Sequence, residues 1–223
     1  MKFRHELKQE ITYADMLALR QRLKAVMQRD SHVTDGRYEI RSLYFDNLND
    51  KALREKIDGI NVREKFRIRY YNGDTSFINL EKKSKINGLC LKESASLAFE
   101  QTEAILNGDY TWMAECNESL IRELYLKMKH NGLYPKTIVD YTREPFVFRP
   151  GNVRITLDYN IRTGLSTIDF LNNSCVTVPI ANNPIILEIK WDEYLPDIIK
   201  DIIQLNRGRI GAFSKYAACR MYD

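Results

Sequence analysis

Charged and apolar side chains alternate at every second position in several stretches of the chain. In VREKFRIRYY (62–71), Arg63, Lys65, Arg67 and Arg69 share one parity, and Phe66, Ile68 and Tyr70 share the other. Successive side chains of an extended strand point to opposite faces, so this spacing predicts a strand with one basic and one apolar face. The pattern recurs in four more stretches. Arg4, Glu6 and Lys8 alternate with Phe3 and Leu7, and Glu81 and Lys83 follow the opposite parity from Ile78 and Leu80. Arg154, Thr156 and Asp158 alternate with Val153, Ile155 and Leu157, and Glu188 and Lys190 with Ile185, Leu187 and Ile189.

Strands are accordingly predicted at 2–8, 37–46, 62–71, 75–83, 89–95, 136–146, 152–161 and 184–191. Asp58-Gly59, Asn72-Gly73-Asp74 and Asn87-Gly88 supply turn chemistry, which makes 62–95 an antiparallel meander. A helix is predicted over 12–30, started by Thr12 with Asp15 and carrying Met16, Leu19, Leu23 and Met27 as an apolar stripe. Further helices are expected at 49–57, 97–106, 117–130 (ended by Asn131-Gly132) and 196–206, followed by a basic C-terminal segment. No repeat, low-complexity stretch or linker divides the chain, so a single domain over 1–223 is expected.

A sheet with one charged face has two solutions. Its apolar face is the core of a sandwich and its charges face water, or it closes into a barrel with charges inside and helices covering the outside. Arginine dominates the charged face. Directly opposed like charges are destabilising, and arginine cannot escape by losing its proton, whereas its planar fork suits phosphate. A few carboxylates among these cations fit a polyphosphate with a bound Mg²⁺ or Mn²⁺, because hard cations take oxygen from both.

Overall composition adds little to this. The net charge is only +4, from 34 basic and 30 acidic residues, so an anion preference has to come from placement. The first ten residues lack an apolar core of signal-peptide length, and no apolar run approaches the roughly 20 residues that span a bilayer; a cytoplasmic protein without a transmembrane segment of its own is expected. Cys90, Cys116, Cys175 and Cys219 form no C-x-x-C pair and read as reduced thiols. His5, His32 and His130 are not at metal spacing, and neither a P-loop nor a G-x-S-x-G elbow occurs. GRIG (208–211) has the G-x-x-G form of an RNA-binding clamp but reads better as a basic turn, so no nucleic-acid partner is expected.

FRHELK, YEIRSLYFD, REKFRIRYY, LEKKSK, DYTREPF, VRITLDYNIR, ILEIKWDEYLP and FSKYAACR follow one another along nearly the whole chain. In order and spacing they resemble bacterial proteins with the VTC (vacuolar transporter chaperone) polyphosphate polymerase domain, of the triphosphate tunnel metalloenzyme or CYTH-like superfamily. The resemblance implies an α+β fold: a closed antiparallel eight-stranded β-barrel with amphipathic helices outside, whose lumen binds triphosphate and a divalent metal. It implies a polymerase that transfers the γ-phosphoryl group of ATP to a growing polyphosphate chain, with ATP and polyphosphate as partners. By the same resemblance Arg67 and Arg69 grip the nucleotide phosphates, while Lys8, Lys83, Lys92, Arg143, Arg154 and Lys215 make further phosphate contacts. Glu188 matches the metal-binding glutamate. Strand parity alone adds Glu6, Arg41, Glu81 and Lys190, with Glu6 a second candidate metal ligand, and it favours Lys83 over Lys82.

One position departs from the superfamily. Its hydrolytic and cyclase branches carry E-x-E-x-K on the first strand, where this chain has Arg4-His5-Glu6-Leu7-Lys8. Exchanging an acid for a base shifts the expected lumen toward phosphate binding. Two other readings stand beside the polymerase: a tunnel triphosphatase, and a non-catalytic module that binds polyphosphate or RNA. A carboxylate at position 188 favours an enzyme, since anion capture needs no acid among cations.

Overall fold

Each of the eight predicted strands has a counterpart in the computed structural model, which describes residues 3–29, 33, 35–205, 209–211 and 213–221. In chain order the strands are β1 (His5–Ile11), β2 (Gln28–Arg29), β3 (Tyr38–Asp46), β4 (Val62–Tyr71), β5 (Asp74–Ile86), β6 (Leu89–Leu97), β7 (Tyr134–Phe148), β8 (Val153–Thr163), β9 (Val178–Pro179), β10 (Ile185–Trp191) and β11 (Arg209–Ile210). The helices are α1 (Tyr13–Val26), α2 (Lys51–Ile57), α3 (Phe99–Leu106), α4 (Ser119–Asn131), α5 (Asp197–Ile203) and α6 (Lys215–Arg220). Of the sequence expectations, Lys2, Asp30, His32, Asn206 and Gly208 fall outside the described residues.

The strands build one antiparallel sheet in the order β11-β1-β10-β8-β7-β3-β4-β5-β6, with β2 added to β7 and β9 to β8. The hairpin from β4 to β5 turns on Asn72 and Gly73, both in the left-handed region (φ 52° and 71°), which is the backbone an Asn-Gly hairpin turn requires.

The expected closed barrel is not formed as a continuous ladder. Its two ends meet in an isolated bridge: Arg4, just before β1, exchanges backbone hydrogen bonds of 3.2 and 3.3 Å with Cys90 of β6. By contrast, β5 and β6 pair without a break from Ile78 to Ile86. The reason lies along β1, whose outer edge is taken by β11 at Gln9 and Glu10, leaving its start to face β6.

The amphipathic helices cover the apolar face of the sheet, as the stripes predict. Thr12 and Asp15 form a reciprocal capping box at α1, each accepting the other's backbone N–H at 3.1 Å. Met16, Leu19 and Leu23 then pack on Ile155, Leu157, Leu187 and Ile189. On the other half of the sheet, Leu120, Ile121, Leu124 and Met128 of α4 pack on Phe66, Ile68, Ile78 and Leu80. Each such buried side chain is worth about 1.5–3 kcal/mol relative to exposure.

The basic C-terminal segment is a helix, α6, and it packs on the other face. Tyr216 stacks on Tyr44 at 5.0 Å between ring centroids, and Cys219 joins Ile40, Tyr141, Ile161 and Ile186. Part of the inner face is therefore apolar and covered, rather than charged throughout. Asp46, at the end of β3, ties this arrangement together. Fully buried, it accepts the Tyr216 hydroxyl at 2.6 Å and the backbone N–H groups of Ala52 and Leu53 at 2.9 and 3.1 Å in the first turn of α2. No helix among the described residues is long and apolar enough to cross a membrane.

Candidate functional site

The remainder of the inner face encloses a cavity of about 760 Å³. The alternation of β4 delivers Arg63, Lys65, Arg67, Arg69 and Tyr71 into it, while Phe66, Ile68 and Tyr70 enter the core on the opposite face. The neighbouring strands contribute by the same rule: Glu6 and Lys8 from β1, Glu81, Lys83 and Lys85 from β5, Lys92 from β6, Arg143 from β7, Arg154 from β8, and Glu188 and Lys190 from β10. Lys215, the first residue of α6, completes the lining.

Three groups of ion pairs organise these charges. Around Glu188, Lys190 makes a short contact, Arg143 lies at 3.4 Å and Lys8 at 3.9 Å. Glu6 sits beside this group, with Lys83 at 2.7 Å, Lys8 at 3.6 Å and Lys190 at 3.7 Å. Asp158 takes Arg143 through two 2.6 Å bonds and Lys215 at 2.5 Å. In the third group Glu81 receives Arg67 at 2.6 Å, Lys92 at 3.1 Å and Arg69 at 3.6 Å.

Tyrosine and serine hydroxyls complete the arginine contacts. Arg67 donates to Tyr44 at 2.8 Å, Arg69 to Ser42 at 2.9 Å and Tyr141 at 3.1 Å, and Arg154 to Tyr38 at 3.0 Å. These hydroxyls orient guanidiniums that remain directed at the cavity.

Burial raises the carboxyl pKa of Glu188, but Lys190, Lys8, Arg143 and Lys215 outweigh it and hold the group well below the usual range. Glu6, pushed up by burial and by Glu188, is brought down to about 2 by Lys8, Lys83 and Lys190. For Glu81, Arg67 and Arg69 win over burial in the same way. All three are carboxylates at neutral pH. Burial alone lowers the ammonium pKa of Lys8, yet Glu188 and Glu6 raise it overall.

Across β4, β5 and β6, Lys65 is directly opposite Lys83, and Lys83 directly opposite Lys92. Three like charges in register on one face are destabilising unless something compensates them. Glu6 compensates Lys83 and Glu81 compensates Lys92, but the row still presents its ammonium groups to the cavity.

The structure gathers Lys8, Arg67, Arg69, Lys83, Lys92, Arg143, Arg154, Glu188, Lys190, Lys215 and Glu6 around this one cavity. It also separates Lys83 from Lys82, which turns outward to Glu123 of α4 at 2.6 Å. Arg41 is a correction. It does not line the cavity: its guanidinium is bonded to Asp140 at 2.9 and 3.0 Å and to the Asn172 carbonyl at 2.6 Å. It shares its parity with the core residues Leu43 and Phe45, and Ser42 and Tyr44 are the inward residues of β3. Arg4 does reach the cavity, but its side chain is held by Asp192 at 2.9 Å, so little of its charge is available there.

Charge counting overlooked Tyr38, Tyr44 and Tyr141, because aromatic residues on a charged parity look like core. Asp158 lay on the right parity with Arg154, and parity on β4 had already put Lys65 on the basic face. For a metal, Glu6 and Glu188 are diagonal neighbours across the β1–β10 ladder and supply the hard oxygen donors that Mn²⁺ or Mg²⁺ takes. Among the described residues no three His, Cys, Asp or Glu side chains form a metal-binding group. The two carboxylates are oxygen donors of the kind a hard cation takes.

Among solved structures, the chain is similar to a Bacillus halodurans protein provisionally named an adenylate cyclase, with 11% identity, coverage of 85% of this chain and 80% of that one, and a TM-score of 0.48. It is also similar to the PH1012 protein of Pyrococcus horikoshii, with 13% identity, 90% and 85% coverage and a TM-score of 0.45. No curated protein sequence matches. The model of the VTC domain matches residues 3–222, so the chain belongs to the VTC domain family.

Proposed function

We propose that this chain is a polyphosphate polymerase that transfers the γ-phosphoryl group of ATP to a growing inorganic polyphosphate chain. The observation that carries this reading is the in-register row of Lys65, Lys83 and Lys92 inside a cavity that also holds Glu188. A linear polyanion relieves the repulsion along such a row, and Glu188, besides its ion pairs with Lys190, Arg143 and Lys8, is a hard oxygen donor for a cation that accompanies the phosphates.

Catalysis in this reading is positioning and charge neutralisation. Arg67 and Arg69, fixed by Tyr44, Ser42 and Tyr141, hold the triphosphate by bidentate contacts. Arg143 from β7 and Arg154 from β8 line the same cavity, and Lys8, Lys83, Lys92, Lys190 and Lys215 align the acceptor chain. Glu188, with Glu6, would hold Mn²⁺ or Mg²⁺, which neutralises charge on the phosphate oxygens. The acceptor is an ionised phosphate, so no protein base is required.

The test is to incubate the purified chain with ATP and Mn²⁺ and resolve the products on a polyphosphate gel. ADP and long polyphosphate are expected, with orthophosphate a minor product and added short polyphosphate shortening any lag. Orthophosphate released in step with ADP, and no chain, would replace the polymerase with a tunnel triphosphatase. Binding without turnover would leave a polyphosphate-binding module.

A further inference from the structure

Among the described residues Lys65 makes no ion pair, unlike five other lysines of the cavity. Lys8, Lys83, Lys92, Lys190 and Lys215 each lie within 4 Å of Glu6, Glu81, Asp158 or Glu188. Among the described residues Lys65 makes no ion pair and no hydrogen bond; its Nζ lies 5.2 Å from the centre of the Tyr44 ring. The groups facing it are otherwise cationic: Arg67 on its own strand, Lys83 directly opposite on β5 and Lys8 on β1. Arg63, two residues earlier on the same face, is opposite Lys85.

We propose that Lys65 contacts the bound phosphate chain and is charged by it: an oligophosphate lying along the Lys65–Lys83–Lys92 row binds with uptake of a solvent proton by the Lys65 amine, –NH2 becoming –NH3⁺. This deepens the triphosphate reading of the site and rests on it. A half-buried amine among cations, with no counter-ion of its own, gains little from being charged in the empty cavity. An anion placed against it reverses that balance. Burial lowers the Lys65 ammonium to about 7; the Tyr44 phenol opposes this shift, while Lys83, Lys8 and Arg67 add to it. Below that pH the proton is already present. Above it the amine is neutral until the ligand arrives, so the uptake belongs to pH values above about 7.

Sodium tripolyphosphate is the probe, titrated calorimetrically without metal in buffers of different ionisation enthalpy at pH 8. Protons on the ligand's own terminal phosphates contribute equally to every variant, so differences report the protein. The native chain is expected to take up about one proton more than Lys65→Arg, whose guanidinium is always charged. At pH 6 the two should agree. Lys65→Met should bind roughly tenfold more weakly at pH 6.5, where the native amine is charged. In a Tyr44→Phe background the difference between lysine and arginine should persist. Equal proton counts for the native chain and Lys65→Arg at pH 8 would overturn the proposal, as would loss of the difference in Tyr44→Phe, which would place the proton on the phenol. Failure of the native chain to bind tripolyphosphate at all would remove the triphosphate reading together with it.

Discussion

Arg143 and Asp158 are register partners on β7 and β8, joined by two hydrogen bonds of 2.6 Å, Nε to Oδ1 and Nη2 to Oδ2. Asp158 is fully buried, and its Oδ2 also receives Lys215 Nζ at 2.5 Å. One carboxylate thus fixes a cavity arginine from the sheet and a cavity lysine from α6. Asp158→Asn should cost about 3 kcal/mol, since Lys215 would be left buried without its ion-pair partner and Arg143 with only Glu188 at 3.4 Å. Urea unfolding measures this, and an unchanged midpoint would show that the pair contributes no stability.

The same carboxylate gives an acid signature. Burial pushes its pKa up, but Arg143 and Lys215 bring it from 3.8 down to about 2. A depressed carboxyl contributes stability above its unfolded pKa and loses it as pH falls through the folded one. Native stability should therefore decline between about pH 4 and pH 2, and Asp158→Asn should show a shallower decline over that window. Parallel acid limbs for the two proteins would count against the assignment.

Arg69 should prove to be a ligand-binding arginine and Arg41 a structural one. Arg69→Ala is expected to weaken tripolyphosphate binding by about 2 kcal/mol, through loss of a charge-assisted bidentate contact in a shielded cavity. Arg63→Ala, at the start of the same strand, should have a smaller effect. Arg41→Ala should lower stability by stranding Asp140 and leave affinity unchanged. If Arg63→Ala and Arg69→Ala were equally harmless, the basic face of β4 would be merely solvated.

Glu188→Gln separates binding from turnover. The substitution keeps the side-chain shape and removes the charge on which a hard cation depends. Circular dichroism should report an intact fold, metal-free tripolyphosphate should bind as well or better, and Mn²⁺-dependent consumption of ATP should disappear. Turnover with a normal metal titration would remove Glu188 from the site.

Tyr216→Phe tests how α6 is held. The lost hydroxyl leaves Asp46 with an unmade hydrogen bond, at a cost of about 1–2 kcal/mol by thermal unfolding. Because Lys215 precedes Tyr216 in the same helix, tripolyphosphate affinity should fall as well. A loss of stability with affinity untouched would mean that α6 does not position Lys215.

Local spacing determined much of this protein. Period-two alternation placed Arg67, Arg69, Arg154 and Glu188 on one face, the Thr12–Asp15 pair marked the start of α1, and Asn-Gly dipeptides marked the hairpins. These are properties of a single strand or turn and need no knowledge of neighbours. Only the tertiary structure decided which cations have counter-ions. Lys83 finds Glu6, 77 residues away in sequence, while Lys65, opposite it, makes no ion pair among the described residues. It also decided that Arg41 turns outward to Asp140, that α6 covers part of the inner face, and that Arg4 and Cys90 bridge the sheet's ends without closing its ladder. Each of these depends on register and packing between distant segments, where the partner rather than the residue sets the outcome.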